Sequence, residues 1–110
     1  MSLQNVVARE LYERLIKSFM DVIVLKELKN GNLIGAYDVI ALIYKRFRIF
    51  MSSGSVYSLL YSMERKGLIE GTMDKSKRVY RLTEKGKETL GNISESGDKI
   101  VLLLKSILER

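Results

Sequence analysis

The chain has 110 residues, 46% of them hydrophobic, with 19 Lys and Arg against 13 Asp and Glu, a net charge of +6 and no Cys, His, Pro or Trp. Such a composition excludes disulfides, thiolate and imidazole chemistry and the common zinc sites, and the length fits one domain. No apolar run reaches the roughly 18 residues of a membrane span, and an N-terminal segment broken by Arg9, Glu10, Glu13 and Arg14 does not read as a secretion signal, so a cytoplasmic protein is expected.

Residues 3–17 predict an exposed amphipathic helix, because Val7, Leu11 and Leu15 repeat every four residues beside Val6 and Ile16. Its charge pairs Arg9/Glu13, Glu10/Arg14 and Glu13/Lys17 each add only about 0.3 kcal/mol. From Phe19 to Leu28 the chain is apolar nearly all round, as a helix central to a core should be. Whether it continues the first helix with a bend or starts afresh after Ser18 is open from the residues alone. Asn30-Gly31-Asn32 ends it with residues that tolerate a left-handed backbone, and Leu33-Ile34 fits a brief extended segment before Gly35.

A third helix is predicted over Ala36–Phe47, with Ile40, Ile43 and Phe47 as its buried stripe and Val39 and Tyr44 flanking it. Lys45, Arg46 and Arg48 close it with positive charge, which suits the helix dipole and equally suits a phosphate. From Ser52 to Leu68 another helix is punctuated at both ends, by Ser52 or Ser53 as N-cap and by Gly67. Val56, Leu59, Leu60 and Met63 form its apolar stripe. Its other face carries Ser55, Tyr57, Ser58, Tyr61, Ser62 and Arg65, free of negative charge and mostly short, a surface made for close approach.

Leu68–Met73 and Arg78–Leu82 predict two strands around the polar turn Asp74–Lys77, with Tyr80 and Leu82 on one face. Thr83 is the expected N-cap of a last helix. In it Leu90, Ile93, Gly97, Ile100, Leu104 and Ile107 follow the a/d rhythm of a coiled-coil seam, widened by Val101 and Leu108. Gly91 and Gly97 each cost about 1 kcal/mol there, so this helix needs a partner surface. A second copy of the chain is favoured over packing back onto its own domain.

Charge is segregated along this order. Residues 45–81 hold nine basic side chains against three acidic ones, while the flanking segments are balanced at five of each. The whole excess therefore surrounds the serine-rich helix, which points to a polyanionic partner. Helices followed by a basic hairpin and a further helix make a mainly α fold with a small β-hairpin, a winged helix-turn-helix. It divides into an N-terminal helix (1–17), a DNA-binding unit (18–83) and a C-terminal dimerisation helix (84–110). In that fold the recognition helix enters the major groove of double-stranded DNA. Ser53, Ser55, Tyr57 and Ser58 then lie nearest the bases and Tyr61 beside them. Arg65, Arg46, Arg48, Lys75, Lys77 and Arg78 fall to the phosphates. The leading end lacks Asn, Gln or Arg for bidentate base reading, so DNA shape is expected to supply part of the specificity.

These residues carry a family resemblance. Gly54-Ser55-Val56-Tyr57 followed by Leu60, Met63, Glu64, Gly67 and Leu68, and then Tyr80-Arg81-Leu82-Thr83-Glu84-Lys85-Gly86, resemble the PadR-like transcriptional regulators. Phe19–Leu25 and Tyr37–Ile40 fit that family's first core helices, and the likeness spans about residues 18–90. It implies a homodimeric DNA-binding regulator, commonly a repressor, with the short C-terminal helix and no required cofactor. The family often has Pro where this chain has Ser53 and Ser58, and His-Gly where it has Gly35-Ala36. Some relatives bind aromatic effectors at the dimer interface, in some cases using Trp, which this chain lacks. A small-molecule effector is thus allowed by the resemblance but has no support in these residues. The competing reading is a winged helix used for protein–protein contact within transcription machinery; an enzyme is not expected, since no catalytic constellation stands out.

Overall fold

A one-residue joint at Phe19 divides the N-terminal third of the protein, whose computed structural model describes residues 3–109. Met1, Ser2 and Arg110, at the ends of the predicted terminal segments, lie outside the described residues. The joint (φ −107°, ψ 13°) separates α1 (Leu3–Ser18) from α2 (Met20–Leu28), so there are two helices, not one. Phe19 N–H still reaches the carbonyls of Leu15 at 3.1 Å and Ile16 at 3.2 Å. Ser18 contributes to the break by turning its hydroxyl back onto the Arg14 carbonyl at 2.9 Å, a contact that bends helices.

The apolar helix α2 is the centre of the core, burying Met20, Val24, Leu25 and Leu28. After it, Ile34 makes a single antiparallel bridge with Tyr80 (N–H to carbonyl 3.3 Å and 2.8 Å), the brief extended segment expected there. That bridge sets how the chain enters α3 (Ala36–Phe47), whose N-cap Gly35 donates its N–H to the Asp38 carboxylate at 2.7 Å. The buried stripe is accordingly Ala36, Val39 and Ile43, with Ile40 and Phe47 at its margin; Val39 is central where Ile40 was expected.

The wing is formed by β1 (Ile69–Asp74) and β2 (Lys77–Leu82), antiparallel from Ile69↔Leu82 to Asp74↔Lys77. Lys75 and Ser76 make the turn with φ of 50° and 67°, the left-handed pair that matches the twist of a two-residue hairpin. Neither is the glycine that this geometry favours. Ser76→Gly should therefore raise stability by up to about 1 kcal/mol, read as a higher melting temperature. On β2 Tyr80 is buried, with Leu82 half-buried beside it, and Val79 on the opposite face is buried as well.

Thr83 locks the wing to the C-terminal helices. Its Oγ1 accepts from Gly86 N–H at 3.0 Å, capping α5 (Glu84–Glu95), and donates to the Gly67 carbonyl at 2.6 Å. The C-terminal segment is then divided in turn: Ser96 (φ −91°, ψ −1°) separates α5 from α6 (Gly97–Leu108). Ser96 and Gly97 are adjacent weak helix formers, the usual place for such a break. The expected single C-terminal helix is thus two. Leu90 on α5 is buried in the core, whereas α6 buries no residue. With α1 and α6 standing off the core, the radius of gyration is 15.5 Å, against about 13 Å for a compact domain of this length.

Candidate nucleic-acid interface

The face of α4 (Ser53–Arg65) that turns away from the core is set by its N-cap. Ser52 Oγ accepts from Ser55 N–H at 3.2 Å and donates to Ser55 Oγ at 2.9 Å. With Val56, Leu60 and Met63 buried beneath, Ser53, Ser55, Tyr57, Ser58, Tyr61 and Arg65 all come out exposed along one side. This is the grouping expected from the sequence, and no carboxylate interrupts it.

Arginines around this face are held against rings. The guanidinium of Arg65 lies 5.7 Å from the Tyr61 ring centre, Arg48 lies 5.5 Å from Tyr44, and Arg46 lies 5.1 Å from Phe47. Each contact adds about 0.5–1 kcal/mol at an exposed site and leaves the guanidinium edge free for an anion. Arg48 is also the left-handed C-cap of α3 (φ 56°), and its carbonyl accepts from the Arg9 guanidinium, so α1 touches the turn between α3 and α4.

The hairpin cations also have partners within the chain. Lys77 Nζ lies 3.7 Å from the Asp38 carboxylate, Arg78 Nη2 lies 2.7 Å from Glu64, and Arg81 Nη2 lies 3.2 Å from Glu70. Among the described residues of the hairpin, Lys75 at the tip is the one cation with no carboxylate partner. Lys77 and Arg78, expected to reach adjacent phosphates, pair within the chain with Asp38 on α3 and Glu64 on α4.

Glu64 has a further consequence. The hydrogen bond from Arg78, helped by Gly71 N–H and by the guanidinium charge, holds its carboxyl below the ordinary value of 4.5 despite partial desolvation. A carboxyl more acidic in the folded chain than in the unfolded one stabilises the fold above its unfolded pKa. That contribution is lost as pH falls through the lower, folded value. Glu64→Gln should therefore lose stability at neutral pH and show a shallower decline below about pH 4.5 than the unaltered chain. Thermal melts across that range check it.

Two contributors escaped the sequence. Lys17 shares a surface groove of about 400 Å³ with Met20, Met51, Ser55, Ser58 and Leu59, placing a cation beside the first turn of α4. Only tertiary folding brings it there. Phe50, between the basic end of α3 and the Ser52 cap, is 74% exposed while its neighbours Ile49 and Met51 are buried.

The six residues of the predicted seam separate. Leu90 is buried and Ile93 packs at the edge of the core. Gly97, Ile100 and Leu104 are half-buried and Ile107 is exposed. On α6, Leu104, Ile107 and Leu108 face Leu11, Tyr12 and Leu15 of α1 across an apolar groove of about 420 Å³. No helix among the described residues is long and apolar enough to cross a membrane.

Residues 24–92 match the model of the transcriptional regulator PadR-like family. None of the curated proteins matches the chain. Among solved structures, the PadR-like transcriptional regulator of Bacillus cereus is 25% identical, with a TM-score of 0.73 over 88% of this chain and 98% of its own. F93 from STIV, a winged-helix DNA-binding protein, is 29% identical, with a TM-score of 0.63 over 78% of this chain and 91% of its own. A PadR family transcriptional regulator from Eggerthella lenta keeps the fold at 18% identity, with a TM-score of 0.75 over 96% of each chain.

Proposed function

The chain belongs to the PadR-like family of transcriptional regulators, and from that membership we propose that it is a cytoplasmic, homodimeric repressor that binds an inverted-repeat operator in double-stranded DNA. The observation that carries this reading is the acid-free exposed face of α4, with Arg65 held on Tyr61 along it and with Arg46 and Arg48 held on Phe47 and Tyr44 at the end of the preceding helix. In the major groove Ser53, Ser55, Tyr57 and Ser58 meet base edges, with Tyr61 alongside. Arg46, Arg48, Arg65, Lys75 and the newly found Lys17 bind phosphates of the backbone.

Residues 18–83 and α5 form the DNA-binding head on this reading. Dimerisation falls to α6, through Ile100, Leu104 and Ile107, with α1 contributing Leu11 and Leu15. The apolar surface left open on these two helices supports it. A two-fold dimer presents two identical heads, which calls for an operator of two inverted half-sites.

Selection of bound fragments from random duplex DNA, with affinities then measured across salt concentrations, tests this. Raising salt from about 50 to 200 mM should weaken binding roughly ten-thousandfold, as for a protein neutralising about eight phosphates. Lys75→Ala and Arg48→Ala should weaken binding to every sequence and flatten the salt slope by about one phosphate per subunit each. Tyr57→Ala should act on the selected site. Absence of binding to any duplex at low salt would end this reading.

A further inference from the structure

Glu64 sits in the last turn of α4 and turns toward the wing, away from the exposed α4 face. Its Oε2 accepts from Arg78 Nη2 at 2.7 Å and from the backbone N–H of Gly71 at 3.1 Å. One carboxylate oxygen thus holds both strands of the hairpin to the helix.

Arg78 is shaped to this contact on its other sides. Its guanidinium lies close over Gly71, where a Cβ would come within 2.7 Å of Nη2 and 2.8 Å of Cζ, so a larger residue there would push the guanidinium off its present seat. The Tyr80 ring centre lies 5.6 Å from Cζ. At the turn end of the hairpin, Lys77 makes the matching tie to Asp38 on α3. The wing is therefore braced against both helices of the helix-turn-helix by charged contacts, and Arg78 has its charge answered within the chain.

We propose that Glu64 is a positioning residue: through Arg78 and the Gly71 amide it sets the angle between the wing and α4, and so governs sequence selectivity without touching DNA. The inference rests on the DNA-binding reading and adds to it a residue whose charge has the wrong sign for direct contact. The opposite signs of the two possible effects make it decidable. Near a polyanion, simple electrostatics says that removing a carboxylate strengthens binding to every sequence. A positioning role says that the same change weakens binding where α4 and the wing must engage together, at the selected site. Charge-assisted hydrogen bonds to one carboxylate are strong and directional enough for that role.

The test measures Glu64→Gln, Arg78→Gln and the double variant on the selected duplex and on a scrambled duplex, at several salt concentrations and well below each melting temperature. Each single variant should bind the selected site about tenfold more weakly while its affinity for scrambled DNA stays within about twofold. The double variant should be no worse than either single one, because one brace has been removed in all three. In the unaltered protein the Gly71 amide resonance should follow the carboxyl titration, and in Glu64→Gln that response should vanish. If Glu64→Gln instead tightens binding to both duplexes and Arg78→Gln weakens both, Arg78 is a phosphate ligand, Glu64 is its competitor, and the proposal is overturned. Unchanged selectivity in either variant, with the unaltered protein still binding its site, removes the positioning role alone. Failure of the unaltered protein to bind any duplex removes the DNA-binding reading and this inference with it.

Discussion

Gly86→Ala should lower the melting temperature by about 10 °C or more, the largest change expected from a single added methyl group in this chain. A Cβ at that position would lie 2.2 Å from the Leu68 carbonyl oxygen and 2.6 Å from Leu82 Cδ1. Leu82 could shift, but the Leu68 carbonyl is backbone and is held in place by the Thr83 N–H at 3.2 Å. Overpacking against a fixed backbone costs about 3 kcal/mol or more, against roughly 1 kcal/mol gained by replacing Gly with Ala in a helix. Gly91→Ala is the control. It lies in the same helix with nothing within 4 Å of its added Cβ, and should raise stability by up to about 1 kcal/mol. Differential scanning calorimetry on both variants decides. Similar melting temperatures would mean that α5 does not rest on Leu68 as described.

Ile107→Asp combined with Leu108→Asp should yield a monomer at tens-of-micromolar concentration and weaken operator binding roughly a hundredfold. In the chain taken alone these side chains are 66% and 68% exposed, and α6 buries nothing. The head should therefore melt within a few degrees of the unaltered protein. In a dimer the same positions lie against apolar surface, where an unpaired carboxylate is strongly disfavoured. Loss of the second head removes the effective-concentration advantage of engaging two half-sites, with no α4 contact altered. Sedimentation and operator titration read the two effects. A variant that keeps both its size and its affinity would place the subunit contact elsewhere or exclude it.

Local signals made much of this fold legible in the sequence. Ala36–Phe47 has the predicted bounds, Ser52 caps α4, Gly67 takes the left-handed backbone, and Asp74–Lys77 turns the hairpin. Each depends on side chains a few residues apart, so the residue order carries it directly. The partners of Lys77 and Arg78 were not legible, because Asp38 and Glu64 reach them only once the hairpin folds back on α3 and α4. Lys17 beside Ser55 is hidden for the same reason. The break at Ser96 was masked by a heptad rhythm that runs straight across it. Leu90 and Ile93 satisfy that rhythm while facing their own core, and Leu104 and Ile107 past Ser96 satisfy it while facing the open groove beside α1. Periodicity marks an apolar stripe without saying whose surface will cover it.

The one-residue joints at Phe19 and Ser96 give the molecule the mechanics of a pair of callipers. Measured from its pivot at Ser96, the 12-residue α6 is a lever roughly 18 Å long. A turn of about 10° at that pivot moves its far end by about 3 Å, close to the roughly 3.4 Å step between neighbouring base pairs. In the proposed two-fold dimer the jaws would be the two heads, and such a rotation at Ser96 would change their gap by about one base-pair step. Tolerance for operator spacing would then be a property of backbone joints outside the α4 face.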